Sequence, residues 1–173
     1  MRNLRRRIEA LERSRLVKVR VDQTIAQRVV ASLWLNDVES LIAAYAAERA
    51  GRQLSEGEAA AKRTYREALE RACRWAGVPP ILEVDFRSVI THAVPKVLAC
   101  RIRPGDLELC RSGMRAAQEG HEPSDHESAA LETYRSEKER ISRMAGFASV
   151  AELNAFCSPE HDSEREALDE GSR

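Results

Sequence analysis

The sequence predicts an all-α protein made of two tandem copies of a unit of about four helices. The copies, 69 residues apart, are expected to pack as one pseudo-twofold helical bundle, preceded by a short basic N-terminal helix. Three observations lead there. Charged residues make up 32% of the chain and Ala, Arg and Glu are abundant, which favours helix because these side chains lose little freedom in it. Ser55–Gly77 and Ser124–Gly146 share 12 of 23 residues without a gap. The shared residues are those that start and stop helices. Extending the comparison to 36–87 against 105–156 gives 17 of 52 identities, where a composition this biased would give roughly 4. The chain therefore divides into a basic arm (1–21), repeat one (22–87), repeat two (88–156) and an acidic tail (157–173).

The arm comes first. Leu4, Ile8 and Leu11 are spaced as a coiled-coil seam, but for barely two heptads. Arg5, Arg6, Arg7, Arg13 and Arg15 surround it. Three readings fit: self-association or a protein partner along the seam, packing back on the body, or contact of the arginines with phosphates. Residues 16–21 alternate apolar and basic, as a brief strand or extended linker would.

In repeat one, the apolar run from Ile25 to Leu35 reads as a helix. Val38, Leu41, Ile42 and Tyr45 then follow at i, i+3, i+4 and i+7, which is one helix face. Gly51 is placed to end that helix. Ser55 with Glu58 forms a capping box for the next, in which the Ser oxygen accepts an orphan N–H and the Glu reaches back. Tyr65, Leu69, Ala72 and Ala76 form the apolar stripe of this long helix, and Gly77 ends it. Arg66, Glu70 and Arg74 are set for i, i+4 ion pairs. Residues 79–87 are expected to form a fourth, short helix.

Repeat two follows the same plan. The stretch from Val94 to Ile102 reads as a helix with Pro95 in its first turn, although Val97–Ile102 alone would also suit a strand. Leu107, Cys110, Met114 and Ala117 form the next face, and Gly120 the stop. Ser124 with Glu127 is the second capping box. Leu131, Tyr134, Ile141 and Ala145 form the stripe, and Gly146 ends it. Arg135, Glu139 and Arg143 repeat the ladder, and Ser149 with Glu152 caps a last short helix. The tail is polar, with six acidic and two basic residues, and is expected to be disordered.

The chemistry of the side chains points away from catalysis. Cys100, Cys110, His121 and His126 are four zinc-ligand types in order. Structural zinc sites pair cysteines two to four apart so that one tight turn aims both sulfurs at the metal, whereas nine residues intervene between Cys100 and Cys110. In the repeat frame they replace Ala31, Leu41, Arg52 and Gly57, so buried thiols and a solvated loop account for them. No local signature selects a cysteine or His92 as nucleophile or base, and there is no phosphate-binding glycine loop. Asp37, Glu39, Asp106 and Glu108 recur in both copies, which fits helix starts that favour negative charge. A helix-turn-helix across Gly51–Ser55 would expose Lys62, Arg63 and Arg66, but Glu58, Glu67 and Glu70 share that surface and repel phosphate.

The expectation is a non-catalytic helical interaction or scaffold protein with no cofactor, self-associating through the arm. A nucleic-acid accessory protein using the same arm is the alternative, and a small enzyme the third. Four scattered cysteines and the lack of an apolar leader suggest a cytoplasmic protein with reduced thiols. No 18-residue apolar run suggests a membrane span.

Overall fold

The computed structural model describes residues 24–79 and 86–158. The described residues form seven helices and no strand. They are α1 (24–32), α2 (Leu35–Arg49), α3 (Glu56–Ala76), α4 (Phe86–Arg101), α5 (Pro104–Gln118), α6 (Asp125–Met144) and α7 (Val150–Cys157). The arm, with Leu4, Ile8, Leu11, Arg5, Arg6, Arg7, Arg13 and Arg15, lies outside the described residues, as does the tail after Ser158.

Helix starts and stops follow local chemistry. The Ser55 oxygen accepts the Glu58 N–H at 3.3 Å, and Ser55 N–H donates to the Glu58 carboxylate at 2.7 Å. Ser124 and Glu127 make the same reciprocal pair. At α7 the reciprocity is broken: Ser149 accepts from Glu152 N–H, but the Glu152 carboxylate takes the Ala148 N–H instead. Gly51, Gly77, Gly120 and Gly146 all have positive φ. After α3, Gly77 at φ 68° lets Val78 N–H reach the Cys73 carbonyl while its own N–H reaches Arg74, satisfying two carbonyls the helix leaves open.

α2 is the hub of the core. Its Val38, Leu41, Ile42 and Ala44 are fully buried, and α3, α4 and α6 pack against it. Tyr65, Leu69 and Cys73 cover it from α3; Val89, Ile90, Val94, Val97 and Leu98 come from α4, and Ile141 and Ala145 from α6. The α5–α6 hairpin is attached differently. α5 packs on α6, buries only Cys110 and Gly113, and leaves Met114 40% exposed. A Cβ on Gly113 would lie 3.0 Å from the Leu131 side chain, so the two helices approach closely there. α5 and α2 are both fifteen residues long and start 69 residues apart, yet one is central and the other peripheral. Tyr65 is 3% exposed, whereas its counterpart Tyr134 is only half-buried, with the Lys138 ammonium over its ring.

Several expectations need correction. Pro95 is not in a first turn: α4 begins at Phe86, and Pro95 lies in its interior. Val89, Ile90, Ala93, Val94, Val97 and Leu98 recur as one buried face, which outweighs the single backbone hydrogen bond that proline removes. The ring itself faces solvent. Val97–Arg101 is accordingly helix. Of the short helix expected over residues 79–87, residues 80–85 lie outside the described residues, and Phe86 and Arg87 belong to the start of α4. The first apolar run breaks between α1 and α2, at Leu33–Trp34. Neither Arg66–Glu70–Arg74 nor Arg135–Glu139–Arg143 closes as an ion-pair ladder among the described residues. The helix-surface pairs that do form are Glu67–Arg71 and Glu137–Arg140.

Long-range polar contacts tie the helices together. The Lys96 ammonium on α4 donates to the carbonyls of Val30, Ala31 and Leu33, so it caps the end of α1 from another helix. Glu39 on α2 accepts from Arg101 at 2.9 Å and from Arg140 at 2.7 Å, joining α2 to α4 and α6. Glu39 was expected to serve a helix dipole, but it is an ion-pair bridge. Burial alone would raise its pKa, yet the hydrogen bonds from Arg101 and Arg140 win and hold it below the usual carboxylate value. Tyr45, Phe86, Phe147 and Phe156 gather at the other end of α2, with Phe147 and Phe156 centroids 5.1 Å apart. The Arg49 guanidinium lies over three of these rings, 4.7 Å from the Phe86 centroid.

Candidate interaction surface

α3 and α2 form a helical hairpin joined by a short loop. α3 has 21 residues and α2 has 15, so the end of α3 overruns the start of α2. At 1.5 Å per residue the overhang is about 9 Å. On α3, Cys73 is the last residue buried with the α2 side chains, while Ala72 beside it is half-buried and Ala76 is exposed. α1 flanks this end of α3 through Ile25 and Arg28.

The result is an open groove of about 410 Å³ lined by Ile25, Arg28, Arg71, Ala72, Trp75 and Ala76. Its floor is apolar, and two guanidinium groups edge it. Trp75 is 96% exposed. Among the described residues, Arg71 has a long ion contact, 3.9 Å, to Glu67. Trp34, between α1 and α2, is 83% exposed. Both tryptophans of the chain therefore stand in water, while the three phenylalanines pack with one another. Burying one aromatic side chain removes about 150–250 Å² from water, so leaving the two largest uncovered forgoes much stabilisation. Tryptophan and arginine are the residues that most often dominate protein–protein contacts.

A second hollow, of about 420 Å³, lies between the end of α6 and the start of α7. Glu139, Ser142, Arg143 and Ser149 line it among others, and the Ser142 hydroxyl is already donated to the Ser149 carbonyl. Its two serines serve the local turn, Ser142 by that bond and Ser149 by accepting the Glu152 N–H.

The sequence-derived candidates fall elsewhere. Cys110 is buried on α5 and its thiol lies 2.9 Å from the Ala130 carbonyl, with burial pushing its pKa up. Cys100 is exposed at the end of α4, and His121 and His126 are exposed near the start of α6. Among the described residues no three His, Cys, Asp or Glu side chains converge as a metal site. His92 is half-buried, and burial lowers its pKa. Lys62, part of the suggested DNA-facing surface, is paired with Glu48 and lies over Tyr45. Ser55, Glu58, Ser124, Glu127, Gly77 and Gly146 act at helix ends.

Sequence reasoning did not single out Trp75, Arg71 or Arg28. One signal was present: Trp75 falls one residue off the Tyr65–Leu69–Ala72–Ala76 stripe, where a large aromatic has no place in the chain's own core. No helix among the described residues is long and apolar enough to cross a membrane. Comparison with protein-family models, with curated proteins and with solved structures finds no match to this chain.

Proposed function

We propose that this chain is a non-catalytic helical interaction protein that associates with itself, working in the cytoplasm as a scaffold rather than an enzyme. The observation that carries the reading is Trp75, almost wholly exposed beside an apolar groove. Exposed apolar patches rimmed by polar groups mark interaction sites, protein contacts among them. The polar residues shared by the two repeats support it too, since Ser55, Glu58, Ser124 and Glu127 are engaged in capping.

The same reading includes a tandem duplication. Its support is that α2 and α5, and α3 and α6, begin 69 residues apart, and that the four positive-φ glycines fall into two such pairs. The unlike burial of α2 and α5 favours stacking of one unit on the next over equal sharing about a twofold axis. The N-terminal arm is a second route to self-association.

Light scattering across a concentration series, on the full chain and on a chain lacking residues 1–21, tests the proposal. Association in the full chain is expected. Its survival without residues 1–21 assigns it to the folded body, and its loss assigns it to the arm. A single-chain mass at every concentration for the full chain overturns the proposal.

A further inference from the structure

The six residues of the groove have counterparts 69 residues later: Val94, Val97, Arg140, Ile141, Met144 and Ala145. Those counterparts are not exposed. Val97, Ile141 and Ala145 are fully buried, in one cluster with Val38, Leu41 and Ile42 of α2. Arg140 donates to Glu39 of α2 at 2.7 Å. Next to them, a Cβ on Gly146 would lie 3.5 Å from Ala46 Cβ, again on α2. So in repeat two this surface is where α2 lies, and in repeat one the corresponding surface is the open groove.

The other half of that internal contact is also repeated. The counterparts of Glu39, Ile42, Tyr45 and Ala46 are Glu108, Arg111, Met114 and Arg115 on α5, and all four are exposed. One molecule thus carries an uncovered copy of each side of its own unit–unit interface, at opposite ends of the repeat order.

We propose that a second copy of this chain docks head to tail, its α5 lying in the α1–α3 groove of the first as α2 lies against α4 and α6. Glu108 then meets Arg71, as Glu39 meets Arg140. Met114 and Arg115 offer the Trp75 ring a thioether and a guanidinium, both of which favour an aromatic face or edge. Arg28 and Arg111 stand where the internal interface has Val97 and Ile42, so the contact between molecules is weaker than the one within. A head-to-tail contact uses two different surfaces, so a dimer still has one of each unpaired, and assembly grows beyond it, to a ring or a filament, as concentration rises. This rests on the self-association proposed above and names the surfaces that perform it.

The test is sedimentation equilibrium on the full chain and on two variants, one Trp75→Asp and one carrying both Glu108→Arg and Met114→Asp. All three positions are exposed, and circular dichroism melts check that the variants remain folded. Wild-type mass is expected to rise past the dimer with concentration. Each variant alone is expected to be a monomer, and an equal mixture is expected to form one-to-one dimers and nothing larger, since each variant keeps one working surface. Pairing Arg71→Glu with Glu108→Arg in one chain is expected to restore growth that either change alone reduces. Variants that associate like wild type overturn this inference and leave the arm as the agent, so the functional proposal stands. A mixture that stays monomeric while wild type associates also overturns it. A wild-type chain that never associates overturns both.

Discussion

Replacing Ile42 by Ala and, separately, Arg111 by Ala compares one register position in two hairpins. Ile42 is fully buried where α3, α4 and α6 meet α2. The substitution removes three carbons, worth about 2.4 kcal/mol at roughly 0.8 per buried carbon. A cavity term follows because three packed helices cannot all close the gap, which brings the loss to about 3–4 kcal/mol. For a chain of this length, each kcal/mol shifts the melting temperature by about 2–4 °C, so the midpoint falls by roughly 6–16 °C. Arg111 is exposed on α5, and its replacement is expected to stay within about 0.5 kcal/mol. Urea unfolding followed by circular dichroism, at concentrations low enough to keep the chain monomeric, measures both. Equal losses at the two positions, or a loss under about 1 kcal/mol at Ile42, would refute the description of α2 as hub and α5 as periphery.

Four further outcomes follow from the same structure. Glu39→Gln is expected to destabilise the fold at neutral pH. Because the folded-state pKa of Glu39 is depressed, its contribution is full above the unfolded carboxyl value of about 4.3 and is lost as pH falls through the lower folded value; the gap between wild type and variant should therefore close in acid, as denaturant titrations across pH would record. Ser55→Ala and Ser124→Ala are each expected to cost about 1 kcal/mol by loss of a cap; hydrogen bonds from Arg52 and Ser55 hold the Glu58 pKa down to about 2, so that box persists until strongly acid pH. Gly113→Val is expected to lose about 1–3 kcal/mol, since its Cβ would press on Leu131 and on Glu127 Cβ at 3.1 Å; unchanged stability would mean that α5 and α6 separate easily. Thiol titration of the native chain should give one fast-reacting group, Cys100, a slower one, the half-buried Cys157, and Cys73 and Cys110 protected until unfolding.

Helix positions were legible because their causes are local. A Ser three residues before a Glu, or a Gly after an apolar stripe, acts on backbone groups within one turn, so Ser55, Ser124 and Gly77 could be read directly. Pro95 was misread for the complementary reason. A proline is a strong local signal, and what overrode it was burial of Val89 to Leu98 against α2, which only the assembled fold supplies. Glu39 illustrates distance: its partners are 62 and 101 residues away, and nothing near it in sequence indicates them. The groove needed the difference in length between α2 and α3 together with the placement of α1. The repeat showed which positions correspond but not that one set is covered and the other open.

The aromatic cluster has a consequence for how the chain is made. Arg49 rests on Phe86, Phe147 and Phe156, and Glu39 waits for Arg101 and Arg140. Arg49 therefore completes its contacts only after α7 has been synthesised, and Glu39 only after α6. At about 5–20 residues per second, the interval between translating Arg49 and Phe156 is roughly 5–20 seconds. Until α6 is made, Val38 and Ile42 lack the part of their cover that Ile141 and Ala145 supply, and a nascent chain halted after α3 would present the α4 and α6 side of α2 to whatever holds it at the ribosome.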